Sequence, residues 1–203
     1  MKLKEMTRFF LHPPTSGPKA TLAIRLMAGG VFFWEGLLKF AYANQGVGRF
    51  TKLGMPVPHV LAPAIAVLEI GGGLLLMSGL GTRLISLPFI VEMIVAMLST
   101  KISLFLGTSP LPKPPSPPQS GLWAVLHEIR SDYAQIMSCI FLLAAGPGPW
   151  SVDAWLQRRR QAHAARPVGS HAPVDVDSAA YLIGGKGAVD PAAPEPMRRR
   201  TSG

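Results

Sequence analysis

The sequence contains a single cysteine, Cys139, among 203 residues. One thiol excludes an intramolecular disulfide, a CxxC redox pair and a multi-cysteine metal site. The sequence also lacks a flavin, haem or iron–sulfur motif, and His59 and His127 are too isolated along the chain to predict an axial pair. We therefore expect no covalent cofactor and no metal site, and any electron carrier would belong to a partner protein.

Acidic residues are scarce, with 11 Asp and Glu against 20 Lys and Arg and a formal net charge of +9. The basic residues flank an apolar region between residues 20 and 145, and they include Lys2, Lys4, Arg8, Lys19, Arg158, Arg159, Arg160 and Arg166. This distribution is typical of a membrane protein rather than of a nucleic-acid-binding protein. The positive-inside rule then places both termini in the cytoplasm, which requires an even number of crossings.

Long apolar segments predict an all-α fold, a four-helix transmembrane bundle. The predicted spans are residues 20–43, 60–80, 84–106 and 122–145. Each is long enough, as a helix, to cross a hydrocarbon core of about 30 Å. The fourth segment is the least apolar, and an interfacial amphipathic helix is its alternative interpretation. We expect a multi-pass protein of a bacterial-type inner membrane, in contact with the lipid bilayer.

The predicted domains follow from the same pattern. A cytoplasmic arm occupies residues 1–19, the membrane domain residues 20–156, and a disordered basic tail residues 157–203. The tail is rich in Ala, Pro and Gly with scattered charge, a composition that does not support a packed core.

Four glutamates interrupt the apolar segments, and they are Glu35, Glu69, Glu92 and Glu128. A charged side chain at the centre of a membrane helix costs about 2.5 to 3.5 kcal/mol on insertion scales, so it should face a polar partner or a cavity. We therefore predict that these four acids handle protons inside the bundle, with Glu69 at the centre of the site.

Other polar residues of the spans are predicted to support these acids. Arg25, Glu35 and Lys39 fall within about 80° on one face of the first helix, and we expect Arg25 and Lys39 to act as counter-charges. Glu35 and Lys39 also have the i,i+4 spacing of a helical ion pair, so a structural pair is the alternative. Asp132 and Gln135 share a polar stripe of the fourth segment.

Glycines at two places predict close packing of helices, because a residue without a side chain lets another backbone approach. Gly29 and Gly30 lie in the first span. Gly71, Gly72 and Gly73 directly follow Glu69, so they either expose the acid to a neighbouring backbone or serve as packing positions.

Several pieces of the chain between about residues 20 and 155 carry a family resemblance. They read IRLMAGGVFFWEGLLKF, LGMPVPHVLAPAIAVLEIGGGLLLMSGLGTR, the region around Glu92, and GPGPWSVD. In this order they resemble the DoxX family of small membrane proteins. The resemblance implies a compact four-helix membrane bundle with both ends cytoplasmic. It also implies a link to quinone-coupled sulfur oxidation or to membrane redox and oxidative-stress assemblies, hence a quinone as ligand and a redox protein as partner.

Three functions are compatible with acids buried in a membrane. In the first, the protein is an accessory subunit of a redox system, and its carboxyl groups exchange protons with a quinone. In the second, the charged residues only fix the packing of helices in a scaffold. In the third, the polar interior transports a proton or a small solute, which with four spans would require a homo-oligomer.

Overall fold

The computed structural model describes residues 5, 7, 9, 10, 13–113, 115 and 117–164. Within them the chain forms helices and no strand, which confirms the all-α class. In chain order the helices are α1 (Thr21–Ala41), α2 (Val47–Lys52), α3 (Pro58–Ser78), α4 (Thr82–Phe105), α5 (Gly121–Glu128), α6 (Arg130–Ala145) and α7 (Val152–Ala164).

Three of these helices, α1, α3 and α4, are long and apolar enough to cross a membrane. Their bounds lie within two residues of the first three predicted spans at every end. The fourth predicted span, 122–145, is instead divided at Ile129 into α5 and α6. At the division the guanidinium of Arg130 donates to the carbonyl of His127. The polar residues Glu128 and Arg130 flank this division, so the segment is not the single continuous helix that the span prediction assumed.

The chain after the last predicted span departs from the expected tail. Residues 157–164 belong to α7 and are helical rather than disordered. The side chain of Gln157 donates to the carbonyl of Pro13 and accepts from the hydroxyl of Thr15, both at 3.1 Å. These bonds anchor the helix to the segment before α1. The remaining predicted tail, residues 165–203, and most of the arm before residue 13 lie outside the described residues.

Helices α1 and α3 pack against each other through small residues. A Cβ on Gly29 would lie 2.6 Å from the carbonyl oxygen of Gly73, and one on Gly36 would lie 2.8 Å from that of Ala66. The two contacts are seven residues apart on each helix, from Gly29 to Gly36 on α1 and from Gly73 back to Ala66 on α3. Because the residue numbers run in opposite directions, the two helices are antiparallel. The predicted close approach is therefore confirmed at Gly29, whereas Gly30 has open space beside it.

The apolar core joins α1, α3, α4 and α6. Its centre is the stacked pair of Phe32 and Phe89, whose ring centroids are 3.7 Å apart. The buried residues around this pair are Ala28, Leu76, Cys139 and Leu142. Many apolar side chains point outward instead, among them Leu26, Val67, Leu74, Leu84 and Ile102. An apolar exterior over an apolar core is typical of helices that contact lipid.

One end of this core is held by arginines and carbonyls. Arg25 is 1% exposed and donates to the carbonyls of Pro147 at 2.8 Å, Trp150 at 2.7 Å and Met77 at 3.3 Å. Arg83 donates to the carbonyls of Phe9 at 3.1 Å and Ala144 at 2.6 Å. We call this region, comprising Arg25, Arg83 and residues 146–151, the closed end.

Candidate functional site

The opposite half of the helical core contains a cavity of about 730 Å³. Its walls come from the second half of α1, from α4 between Pro88 and Lys101, from the first halves of α3 and α6, from Glu128 of α5, and from the segment around α2. This volume lies within the range of about 300 to 1,000 Å³ found for small-molecule sites. Seven of the eight predicted site residues line it, namely Glu35, Lys39, Glu69, Glu92, Glu128, Asp132 and Gln135. We call this space the acid cavity.

Glu69 has the most buried carboxyl group of the cavity, being 1% exposed. Lys39 reaches across from α1, and its Nζ lies 2.7 Å from Oε1 and 2.6 Å from Oε2 of Glu69. Glu69 is placed there because Ala66 and Gly73, on either side of it along α3, seat that helix closely against α1. The ion pair therefore joins two helices at the wall of the cavity.

Glu92 of α4 completes the centre of the site. Its carboxyl group lies beside that of Glu69, close enough for a hydrogen bond between them when one is protonated. Its Oε2 atom is buried without a hydrogen-bond partner. Two carboxyl groups and one ammonium group thus share a small volume, so that one bound proton makes the cluster electrically neutral. We call Lys39, Glu69 and Glu92 the acid cluster.

The structure places two residues of the first helix away from the partners that the sequence suggested. Glu35 does not pair with Lys39, because the Lys39 ammonium lies against Glu69, and Glu35 is exposed at the cavity wall. Arg25 is not a counter-charge for the acids, because its guanidinium is bound by carbonyls at the closed end. Arg25 and Glu35 share an angular face, but ten residues at 1.5 Å each separate them by about 15 Å along the axis.

The α6 side of the cavity carries weaker polar contacts. Asp132 Oδ2 lies 3.8 Å from Lys101 Nζ of α4. Gln135 donates to the backbone carbonyl of Ala28 at 3.1 Å, which fixes α6 against α1. Glu128 is half-buried and also lines the cavity. Over the described part of the chain, no three His, Cys, Asp or Glu residues are grouped so that they could hold a metal ion.

Sequence reasoning missed several polar residues of the cavity, among them Gln45, Arg49 and Lys101. The first two belong to the connection between α1 and α3, which lies between the predicted spans 20–43 and 60–80. The connection folds inward because Phe50 is buried. The spacing of Phe50 and Leu53, three residues apart, is a signal of one amphipathic turn that could have indicated this.

The apolar exterior, the three span-length helices and the acid cavity define a small helical integral membrane protein. The DoxX family model matches residues 20–102. "Uncharacterized membrane protein Rv3486" of Mycobacterium tuberculosis (strain ATCC 25618 / H37Rv) is 37% identical over 156 residues, which cover 74% of this chain and 89% of that protein. The chain therefore belongs to the DoxX family.

A second relative covers less of the chain. "Putative oxidoreductase CatD" of Bacillus subtilis (strain 168) is 33% identical over 90 residues, or 44% of this chain and 66% of that protein. No solved structure gives a significant match.

Proposed function

We propose that the protein is the membrane subunit of a redox system and that its acid cavity binds a quinone or quinol head group. The observation that carries this proposal is the acid cluster, in which Lys39 is paired with Glu69 at a cavity wall and the carboxyl group of Glu92 lies beside that pair. Such a cluster can gain or release a proton without leaving a large uncompensated charge in a membrane.

The chemistry of a quinone suits this arrangement. Reduction of a quinone to a quinol takes two electrons and two protons, and the protons are added to its two oxygens. In the proposed site, Glu69 and Glu92 supply or accept protons, and Lys39 keeps the charge of the cluster low. The electrons are exchanged with a partner redox protein, because the sequence contains no motif for a bound electron carrier.

The lining of the cavity also fits a largely apolar head group. Beside its polar residues it is lined by Phe32, Leu61, Ile65, Leu68 and Met93. Ligand sites in proteins typically combine such apolar walls with a few polar groups that fix orientation. The oxidoreductase name of the B. subtilis relative supports a redox role, over the 44% of the chain that it matches.

The proposal includes a fourth crossing by α5 and α6, with both termini cytoplasmic. Pro13 and Thr15 are hydrogen-bonded to Gln157, which supports placing the chain before α1 and the chain in α7 on the same side of the membrane. In the proposed topology the number of crossings between them is therefore even. Three helices qualify as spans on length and hydropathy, so α5 and α6 together would supply the fourth. The basic flanking residues favour the cytoplasm as that side.

Binding of a quinone to the purified protein tests this function. The probes are a short-chain benzoquinone and a short-chain naphthoquinone, added to protein in lipid nanodiscs. We expect wild-type protein to bind at least one of them, and Glu69→Gln and Glu92→Gln to weaken that binding by about tenfold or more. Asp153→Asn is the matched carboxylate-to-amide control and should stay within about twofold, since Asp153 does not line the cavity.

Other outcomes support the alternative functions. The Lys39–Glu69 pair joins α1 to α3, so a scaffold would lose abundance on Glu69→Gln without any quinone binding in the wild type. A transporter would instead conduct protons when the purified protein alone is placed in liposomes. Either result would exclude the redox site proposed here.

A further inference from the structure

Helices α3 and α4 form an antiparallel hairpin that is tight near its turn and wider away from it. Near the turn, Gly72 packs against Phe89 and Ile85, where a Cβ would lie 2.5 Å from the Phe89 ring. One turn further along, Glu69 lies beside Glu92. Beyond this pair, Ile65 and Ala96 both line the acid cavity. The hairpin therefore forms a wedge with the two acids at its narrow end.

The wide part of this wedge reaches the outer surface of the protein. Val91 and Val95 line the cavity, yet their side chains are 59% and 44% exposed. Across from them, Leu61, Ile65 and Leu68 of α3 line the same cavity. The cavity thus opens between α3 and α4, within the length of these two span-length helices. Both walls of that opening are apolar. We call it the α3–α4 portal.

Other parts of the cavity wall are charged. On α1, exposed Val31 is followed one turn later by exposed Glu35. At the α2 segment the lining includes Gln45 and Arg49. A hydrocarbon chain would have to pass these polar groups, whereas the α3–α4 portal offers it aliphatic side chains on both sides.

We propose that the ligand of the acid cavity is a lipid-soluble quinone with an apolar tail and that it enters from the bilayer through the α3–α4 portal. This inference rests on the proposed function and specifies its ligand class and route. The tail lies between Leu61 and Ile65 on one side and Val91 and Val95 on the other, and the head group meets the acid cluster. Lateral entry avoids moving the tail through water, which is unfavourable for every CH₂ group of the tail.

A tryptophan at the portal tests this route. Val91→Trp should obstruct the opening, and Leu98→Trp is its matched control, since Leu98 is 58% exposed on the same helix but does not line the cavity. Two probes are compared in nanodiscs, a quinone with a long isoprenoid tail and the same head group without a tail. We expect Val91→Trp to weaken binding of the tailed probe by about tenfold while the tailless probe stays within about twofold. Leu98→Trp should change neither.

The outcomes separate the portal from the function of the cavity. If Val91→Trp leaves the tailed probe unaffected while Glu69→Gln still weakens both probes, the portal is overturned and the quinone site stands. If wild-type protein binds neither probe, both proposals fail.

A second measurement does not depend on how Val91→Trp packs. A quinone with a photoreactive group on its tail should label α3 or α4 near residues 61–68 or 91–95. Labelling at residues 45–55 instead would place the tail at the α2 segment and overturn the portal.

Discussion

The closed end and the acid cavity both hold charged groups among membrane helices, but they satisfy them in different ways. At the closed end, the Arg25 guanidinium makes three hydrogen bonds, and all three go to backbone carbonyls. In the acid cavity, one ammonium group pairs with Glu69, and the carboxyl group of Glu92 lies beside that pair. Both regions keep buried polar atoms without a hydrogen-bond partner, among them Nε of Arg25 at the closed end and Oε2 of Glu92 in the cavity.

The difference follows from the chemistry of the groups. Met77 lies in the last turn of α3 and residues 147–150 form a loop, so their carbonyls have no helical N–H partner. A guanidinium carries five donors and stays protonated, which suits such a place. Carboxyl groups can bind or lose a proton, and an incompletely satisfied pair leaves capacity for a ligand. A charge in a membrane helix therefore indicates a reactive site only where it is titratable and incompletely bonded.

The strongest test of this comparison replaces one charge at each end. Arg25→Gln leaves buried carbonyls without donors, so we expect it to lower the free energy of unfolding by about 3 kcal/mol or more. Glu69→Gln should cost less, about 1 kcal/mol, because its amide can still accept from Lys39 and face the cavity. Thermal unfolding of the purified variants, followed by the circular dichroism of the helices, measures both.

Arg25→Lys serves as the control for charge alone, since one ammonium group cannot reproduce the planar fork that bonds three carbonyls. It should recover only part of the loss. Equal destabilisation by Arg25→Gln and Glu69→Gln would remove the distinction between a structural and a reactive end.

A smaller effect is expected from the glycine contact that joins α1 to α3. Gly29→Ala would place a Cβ against the Gly73 carbonyl and force the helices apart, so we expect a loss of about 1 to 3 kcal/mol. Gly30→Ala is the control, because open space lies beside Gly30 and alanine favours a helix by about 1 kcal/mol. Unfolding midpoints that move in the same direction for both variants would contradict this packing.

The sequence predicted the helices better than the contacts between them. The length of the apolar segments located α1, α3 and α4. The free-energy cost of a charge in a membrane helix drew attention to the glutamates that line the cavity. The angle around the helix axis placed Arg25 on one face with Glu35 and Lys39. That angle carries no information on position along the axis, so it grouped residues that lie toward opposite ends of the helix. The partner of Lys39 depends on how closely glycines let α3 approach, and the inward fold of α2 depends on burial of Phe50. Neither is encoded in local periodicity.

The smallest expected effect concerns pH at Asp153 of α7, which lies next to the closed end and outside the spans. The Asp153 carboxylate accepts from the N–H of Gly81 at 3.1 and 3.3 Å and so ties α7 to the turn before α4. Burial raises the pKa of Asp153 above its ordinary value of 3.8, and the backbone hydrogen bonds from Gly81 and Thr82 oppose that rise. In the window just above 3.8 the folded protein therefore binds more protons than the unfolded chain.

Stability contributed by Asp153 must then fall as pH rises through that window and become constant once the group is ionised in both states. Asp153→Asn does not titrate, so the difference in Tm between wild type and variant should shift by a small amount across the window and stay flat above it. Because Asp153 is only half-buried, solvent screening keeps this change well below those of Arg25 and Gly29. Parallel pH profiles for the two proteins would show that Asp153 is ionised equally in the folded and unfolded states. The contact of Asp153 with Gly81 would then not respond to pH.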